Sequence, residues 1–180
     1  MLSDHRFANN FTRAERELIE AHVPWTRLVR DSYTTDAEGR RVNLLTYATE
    51  KRNELVLKPS NATRGEGVKI GCLTEPSEWE RGLHNALRGA TCVLQEYISA
   101  PTLSAPNPSD GTIESMVFGL DVFVFCGHFA GFHARASIDP IINVGKRGIL
   151  MPVAVASSSS PDSAPTDCGR GARVGEVANT

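Results

Sequence analysis

A lysine followed by a glycine-containing turn is the part of this chain whose residue types point most clearly to chemistry. The apolar run from Leu55 to Leu57 ends at Lys58, and Gly65 and Gly67 follow shortly afterwards. Glycine lacks a Cβ, so its backbone adopts positive φ and brings its N–H groups close to ligand oxygens. With one cation beside it, such a turn predicts a cradle for an anion. The alternative is a β-hairpin whose turn needs glycine and whose strand ends in a solvated lysine.

Further polar groups stand at or near predicted strands later in the chain. Gln95, Glu96 and Tyr97 end a strand, where a carboxylate and backbone groups can bind a ribose hydroxyl and an adenine edge. A solvated charge at a strand end is the alternative for Glu96. Arg135 lies on a later strand, where a guanidinium clamps a phosphate bidentately or forms an ordinary ion pair. Residues 143–148 combine cations and glycines in a loop, for which a plain basic turn is the competing explanation.

Helices are predicted on both sides of the lysine and glycine segment. The firmest one opens at Pro76, because proline suits a first helical turn, and it places Trp79, Leu83 and Leu87 on one face. Gly89 suits its C-terminal cap. The other predicted helices are one that begins with a capping box at Thr12 to Glu15 and ends before Pro24, and a short one between Val42 and Arg52.

The predicted strands flank tight turns. They cover residues 55–57, 68–72, 92–98, 116–126 and 129–136. The glycine turn joins the first two as a hairpin, and Gly127 with His128 joins the last two, so the sheet is partly antiparallel. Residues 24–30 allow either an extended segment or a loop, and residues 101–112 read as a loop. The expected fold class is α+β, with a mixed, mainly antiparallel sheet and flanking helices.

Composition limits the classes of function. The 180 residues suit one domain of ordinary size, and a 41% hydrophobic content suffices for a packed core. A net charge of −2 gives no general cationic field, which argues against nucleic acid and membrane partners. No secretory leader or membrane-length apolar run is present, so a soluble, cytoplasmic protein is expected. Cys72, Cys92 and Cys126 lie among apolar residues and are expected to be buried, reduced thiols.

The order of these features resembles the ATP-grasp nucleotide-binding fold. It is most similar to the C-terminal part of circularly permuted ATP-grasp proteins, relatives of the glutathionylspermidine synthase type. The opening Leu2 to Arg6 and the segment Pro24 to Arg27 also look like that group, and the resemblance runs to about Val155. It implies residues 1–52 as a helical and extended segment packing on the core, and residues 53–155 as the nucleotide-binding core. Residues 156–180 are expected to form a disordered tail, because small, polar and glycine residues without periodicity dominate their composition.

The resemblance also implies a role for each candidate residue. Lys58 would contact ATP phosphates, Gly65 and Gly67 would form the lid loop, and Lys69 would be a second cation near the nucleotide. Gln95, Glu96 and Tyr97 would form the adenine and ribose hinge, and Arg135 would bind phosphate in the reactive centre. The wider family forms an acylphosphate from ATP and a carboxylate, which an amine then attacks.

One departure from the family concerns Mg²⁺. Its acidic and asparagine ligands would come from sequence preceding the lysine strand, in a portion that we expect this chain to lack, and nothing pairs Asp121 with Asn143 by spacing. The expected function is therefore the ATP-binding part of a carboxylate–amine ligase, as a fragment or a subunit completed by an upstream segment. The alternative is a degenerate nucleotide-binding or interaction module. A P-loop kinase is a weaker alternative, because Lys58 precedes the glycines instead of following them. The acid and amine substrates cannot be read from the chain.

Overall fold

The computed structural model describes residues 2–63, 65–89, 91–107, 109–143 and 148–155 as an α+β structure. Three short 3₁₀ helices lie at His5–Asn10, Arg52–Glu54 and Gly71–Leu73. The α-helices are α1 (Arg13–His22), α2 (Leu44–Glu50) and α3 (Pro76–Arg88). The strands are β1 (Thr26–Leu28), β2 (Tyr33–Thr35), β3 (Arg41–Asn43), β4 (Leu55–Pro59), β5 (Lys69–Ile70), β6 (Cys92–Glu96), β7 (Thr102–Pro106), β8 (Ile113–Phe125), β9 (His128–Ser137) and β10 (Gly148–Met151).

The first sheet carries the lysine and glycine segment. Its strand order is β1-β6-β4-β5, and each neighbouring pair is antiparallel. Side chains alternate between the two faces of a strand. Leu55 and Leu57 therefore share one face, where they join Leu94 and the fully buried Trp79 of α3 in the main core. Lys58 consequently points from β4 to the opposite face.

The second sheet has the order β10-β9-β8-β7 and is also antiparallel throughout its described strands. A two-residue turn joins β8 to β9, with φ of 50° at Cys126 and 79° at Gly127, as the right-handed twist of a tight hairpin requires. A smaller core of Ala105, Met116 and Ala136 lies on one face of this sheet. β2 and β3 pair separately as a short antiparallel ribbon.

Most predicted elements are confirmed. The capping box of Thr12 and Glu15 is formed in both directions at the start of α1. α2 and α3 are present as expected, the glycine turn joins antiparallel strands, and residues 24–30 take the extended alternative as β1. None of the described helices is long and apolar enough to cross a bilayer. The residues of the expected disordered tail, 156–180, lie outside the part of the chain that the structure describes.

Three expectations are wrong in detail. Part of the expected loop at residues 101–112 is β7, because it hydrogen-bonds along the edge of β8. Proline occurs at its end, where an edge strand tolerates a missing donor. Leu87 is 41% exposed, and Ala86 is the residue of α3 that joins the core instead. Cys72 and Cys126 are exposed free cysteines, and Cys92 is buried as expected.

Candidate functional site

Lys58 is held by a directional chain of hydrogen bonds across three strands. The hydroxyl of Thr26 donates to the carbonyl of Pro24 at 2.9 Å, so its oxygen accepts from Nε2 of Gln95 at 3.0 Å. This fixes the amide of Gln95 with its Oε1 atom towards Lys58, whose Nζ atom donates to it. Thr26 and Val56 both pair with Gln95 in the sheet register, and Lys58 lies two residues after Val56. The side chains of Thr26, Gln95 and Lys58 therefore lie on one face. The structure therefore brings two predicted site residues, Lys58 and Gln95, into contact.

The charge of Lys58 lacks an anion within the described residues. Nζ has three donor positions, and its hydrogen-bond partner there is the neutral amide oxygen of Gln95. The side chain is half-buried, and desolvation lowers the pKa of its ammonium group. The ammonium group of Lys58 therefore has a positive charge and N–H donors without a partner among the described residues. An anionic ligand would pair with both.

The glycine turn that follows β4 contacts Pro59, the residue after Lys58 in the strand. Gly65 and Gly67 have φ of 73° and 71°, a region that favours glycine. A Cβ at Gly67 would lie 2.9 Å from Cγ of Pro59, so the turn packs back against the residue next to Lys58. The N–H of Glu66 donates to the carbonyl of Thr63 at 3.0 Å. The glycine residues are therefore required by both conformation and space.

Lys69 occupies the other face of the first sheet. It pairs with Leu57 in the register, and so points to the helix-covered side. Its stem packs over Gly82 of α3, where an added Cβ would lie 3.1 Å from Cδ of the lysine, and its ammonium pairs with Glu78. This arrangement separates Lys69 from Lys58 and gives its charge a protein partner. The structure therefore does not bring the predicted second cation, Lys69, together with Lys58.

The expected hinge residues divide between two roles. Glu96 follows Gln95 on β6 and points to the opposite face, where its carboxylate lies 3.4 Å from the N–H of Trp25. The N–H of Glu96 donates to the carbonyl of Trp25 at 2.9 Å, and that of Tyr97 donates to the carbonyl of Glu54 at 2.8 Å. These two N–H groups are consequently committed to the sheet. The structure does not place Glu96 on the same face as Lys58 and Gln95.

Arg135 lies in the second sheet in a bidentate ion pair with Asp121. Nε of Arg135 is 2.7 Å from Oδ2 of Asp121, and Nη2 is 3.0 Å from Oδ1. Gly119 pairs with Arg135 on the neighbouring strand, so no side chain from that position competes for space. Both charged side chains are 37% exposed. The ordinary ion pair is therefore formed. It uses Nε and Nη2, so the two protons on Nη1 have no partner among the described residues.

Sequence reasoning missed two contributors to these groups. Thr26 lies in the segment Pro24 to Arg27. That segment contributed to the family resemblance, but nothing in the sequence indicated that the Thr26 hydroxyl orients Gln95. His133 lies beside Asp121, with 3.2 Å between Nδ1 and Oδ2, and stacks on the ring of Phe123. Period-two spacing from Arg135 would have placed His133 on the same face, because both residues lie on β9.

The described residues do not fit a magnesium site. No group of three or more acidic, histidine or cysteine side chains comes together there in a way that could hold a metal ion. Asp121 has both carboxylate oxygens engaged by Arg135. Octahedral Mg²⁺ needs carboxylate oxygens free to bind it. Any magnesium ligands would therefore have to come from elsewhere than this described part.

A sizeable cavity lies apart from Lys58. Its volume is 460 Å³, and its walls include Ile19, Val23, Trp25 and Glu96. These residues belong to α1 and to the helix-covered side of the first sheet, and Lys58 is not among the described residues that line it. Size alone would select this cavity as a ligand site, whereas the unpaired cation selects the opposite face. The cation specifies the chemistry of a ligand, which the volume of a cavity does not.

Comparisons with models of known protein families, with curated proteins and with solved structures find no match to this chain.

Proposed function

We propose that this chain is the ATP-binding part of a circularly permuted ATP-grasp ligase that joins a carboxylate to an amine. The observation that carries the proposal is Lys58, a half-buried ammonium without an anion among the described residues, oriented by Gln95 and adjoining a turn with two positive-φ glycines. A phosphate supplies the missing negative charge and accepts the remaining Nζ protons. The order of these groups along the chain is that of the family it resembles.

In this proposal the chain's own residues bind and orient the nucleotide. Lys58 neutralises charge on the phosphates, and the backbone of Gly65 and Gly67 approaches the phosphate oxygens without steric hindrance from side chains. Arg135 adds further N–H donors, because two of its nitrogens bind Asp121 and Nη1 has no partner among the described residues. The reaction class would be phosphoryl transfer to a carboxylate followed by attack of an amine, with positioning as the contribution of these residues.

One observation favours a second candidate, a nucleotide-binding module without catalysis. The described residues hold no cluster of metal-binding side chains, and phosphoryl transfer from ATP relies on Mg²⁺ to offset charge. The two candidates differ in turnover. ADP release by the purified chain with Mg²⁺, a mixture of carboxylates and a mixture of amines would support the ligase, provided that Arg135→Ala abolishes it. ATP binding without ADP release would support the module only if adding an upstream segment with acidic and asparagine residues also fails to give ADP release.

Lys58→Ala tests the site directly. Loss of a charge-assisted hydrogen bond to phosphate should weaken ATP binding by about 1.5–3 kcal/mol, which is about 10- to 150-fold in Kd. Calorimetric titration with ATP measures the change. Adenosine, which has no phosphate, should bind the variant as it binds the wild type.

Lys69→Ala is the matched control, because it removes the same charge from the opposite face of the same sheet. It should leave ATP affinity within about threefold of wild type, as expected for a part-buried ion pair on the face away from the ligand. Equal losses of ATP affinity in the two variants would indicate a nonspecific effect of net charge. They would show that Lys58 does not bind the phosphate.

A further inference from the structure

The hairpin of β8 and β9 extends beyond the other two strands of its sheet. In the described register, β7 pairs with β8 up to Val117, and β10 pairs with β9 from Ala134 to Ser137. Residues 119–125 and 128–133 form a two-stranded ribbon, which pairs only with itself within the described part of the chain. Such a ribbon is marginally stable in water when nothing covers its faces. A partner packed on one face would therefore stabilise it.

One face of the ribbon is apolar. Val122 pairs with Phe132 and Val124 pairs with Phe129, because the register shifts by one residue between these two pairs. This bulge brings both phenylalanines to the same face, and their ring centres lie 4.8 Å apart. The apolar face consists of five exposed side chains: Leu120, Val122, Val124, Phe129 and Phe132.

The opposite face of the ribbon has a different character. It carries Asp121 and His133, with the ring of Phe123 stacked on His133, and Arg135 follows on the same face of β9. The apolar face has no charged side chain among the described residues of the ribbon. Two copies of this face can consequently pack together without bringing like charges into contact, as pairing about a two-fold axis requires.

The exposed area of the apolar face suits a dimer. Its five side chains are between 37% and 61% exposed. Together they present roughly 450 Å² of apolar surface, the size of the largest apolar patch on a typical monomer. Two copies would bury about 900 Å² of apolar surface. Since apolar atoms supply about 60% of an interface, the total would be about 1,500 Å², which is the standard size for a specific interface.

The C-terminal part of the sequence is a poor alternative cover for this face. Residues 156–180 contain no aromatic residue, and Val174 and Val177 are their only branched apolar residues. Small and polar side chains gain little from burial against an apolar surface, so they cannot offset the entropy lost on ordering. A second copy of the chain offers an apolar surface of equal size.

We propose that the apolar face is a dimer interface, at which two copies of this chain pack face to face about a two-fold axis. The apolar side chains of each ribbon are then removed from water by those of the other. Arg135 and Asp121 lie on the opposite face and stay accessible in the dimer. Dimer formation is therefore independent of the proposed function.

Sedimentation velocity of the full chain tests the dimer. The wild type should associate with a Kd of about 1 µM or tighter, as interfaces of this size do. Val122→Glu should raise this Kd by at least about 100-fold, because each dimer would bury two unpaired carboxylates. Phe125→Glu is the matched control. It adds the same charge at an exposed position whose partner in the ribbon is His128, on the face away from the interface. It should change the Kd by less than about threefold.

A milder variant guards against general disruption. Val122→Thr keeps the shape of the side chain but buries a hydroxyl at the interface, and should raise the Kd by about three- to tenfold. The far-ultraviolet circular dichroism of both Val122 variants should match that of the wild type, because residue 122 is exposed within each copy.

Four results would overturn the proposal. A wild-type chain that stays monomeric at about 100 µM would do so, because a specific interface of this size binds more tightly. Equal losses of affinity in Val122→Glu and Phe125→Glu would show that the apolar face is not the contact. Association that continues beyond the dimer would indicate open pairing of strand edges instead. A monomer that co-sediments with phosphatidylcholine vesicles would assign the face to a lipid surface.

Discussion

Two cations of the first sheet, Arg27 and Lys58, are removed from solvent in different ways. Arg27 is 2% exposed and donates from all three guanidinium nitrogens. Its acceptors include the hydroxyl of Thr34 at 2.8 Å and the carbonyls of Ser3 at 2.8 Å and Thr35 at 3.0 Å. Its guanidinium also lies 4.9 Å from the ring centre of Trp25. Lys58 is half-buried and has one neutral acceptor among the described residues.

The difference separates a structural cation from a candidate binding cation. Arg27 joins the N-terminal segment at Ser3 to β1 and β2, and its hydrogen-bonding capacity is used within the protein. Lys58 has donors without a partner among the described residues, whereas burial lowers the pKa of both its ammonium group and the guanidinium of Arg27. A buried charge that the fold leaves unsatisfied reduces stability, and such residues are concentrated at functional sites.

Arg27→Met should produce the largest loss of stability. It leaves the half-buried acceptors at Ser3, Thr34 and Thr35 without their donor, at about 1 kcal/mol for each group, so the total should reach about 3 kcal/mol. Urea unfolding followed by circular dichroism measures it. Arg13→Met, in an exposed ion pair with Glu17, is the control and should change stability by less than about 0.5 kcal/mol. If Arg27→Met lowers the free energy of unfolding by less than about 1 kcal/mol, Arg27 is not the structural cation that distinguishes it from Lys58.

Lys58→Met should change the free energy of unfolding by less than about 1 kcal/mol in either direction, because it removes a desolvated charge and only one hydrogen bond. The same unfolding experiment applies. Lys69→Met, which breaks the ion pair with Glu78, provides a comparison within the sheet. A loss as large as that of Arg27→Met would identify Lys58 as structural and undercut the proposed anion site.

The pH dependence of stability should single out Asp4, a buried neighbour of Arg27. Its hydrogen bond with Arg6 is the main cause that lowers the pKa of Asp4 from 3.8 to about 2, and the charge of Arg27 contributes in the same direction. Because the folded pKa is the lower one, the ionised carboxylate stabilises the fold above pH 4, and this contribution is lost as the pH falls towards 2. Its size is at most about 2 kcal/mol, reduced further by the exposure of Arg6.

The check is a series of unfolding measurements between pH 2 and pH 5 on wild type and Asp4→Asn. Other carboxylates with lowered pKa, including Glu15 and Asp36, titrate in both proteins and cancel in the difference. The stability difference between the two proteins should shrink as the pH falls. A difference that stays constant over this range would show that Asp4 does not titrate as the structure implies.

Local signals in the sequence were enough to predict most helices and turns. The capping box at Thr12, proline at the first turn of α3 and glycine at the β8–β9 turn each act through neighbouring backbone atoms, so the relevant information lies within a few residues. The α+β class followed from the same signals. β7 was missed because its formation depends on β8 as a partner, and its own residues are typical of a loop.

The sequence by itself determined which residues are chemically capable and where the chain turns: Lys58 at a strand end, glycines at the turn, and Arg135 on a later strand. The tertiary structure decided which of them meet. Strand pairing put Gln95 beside Lys58 and turned Lys69 and Glu96 to the other face, while Asp121 engaged Arg135. The physical reason is that side chains alternate with a period of two, so the sequence of a strand fixes which of its residues share a face. The residues opposite them on neighbouring strands are selected only by non-local register and packing.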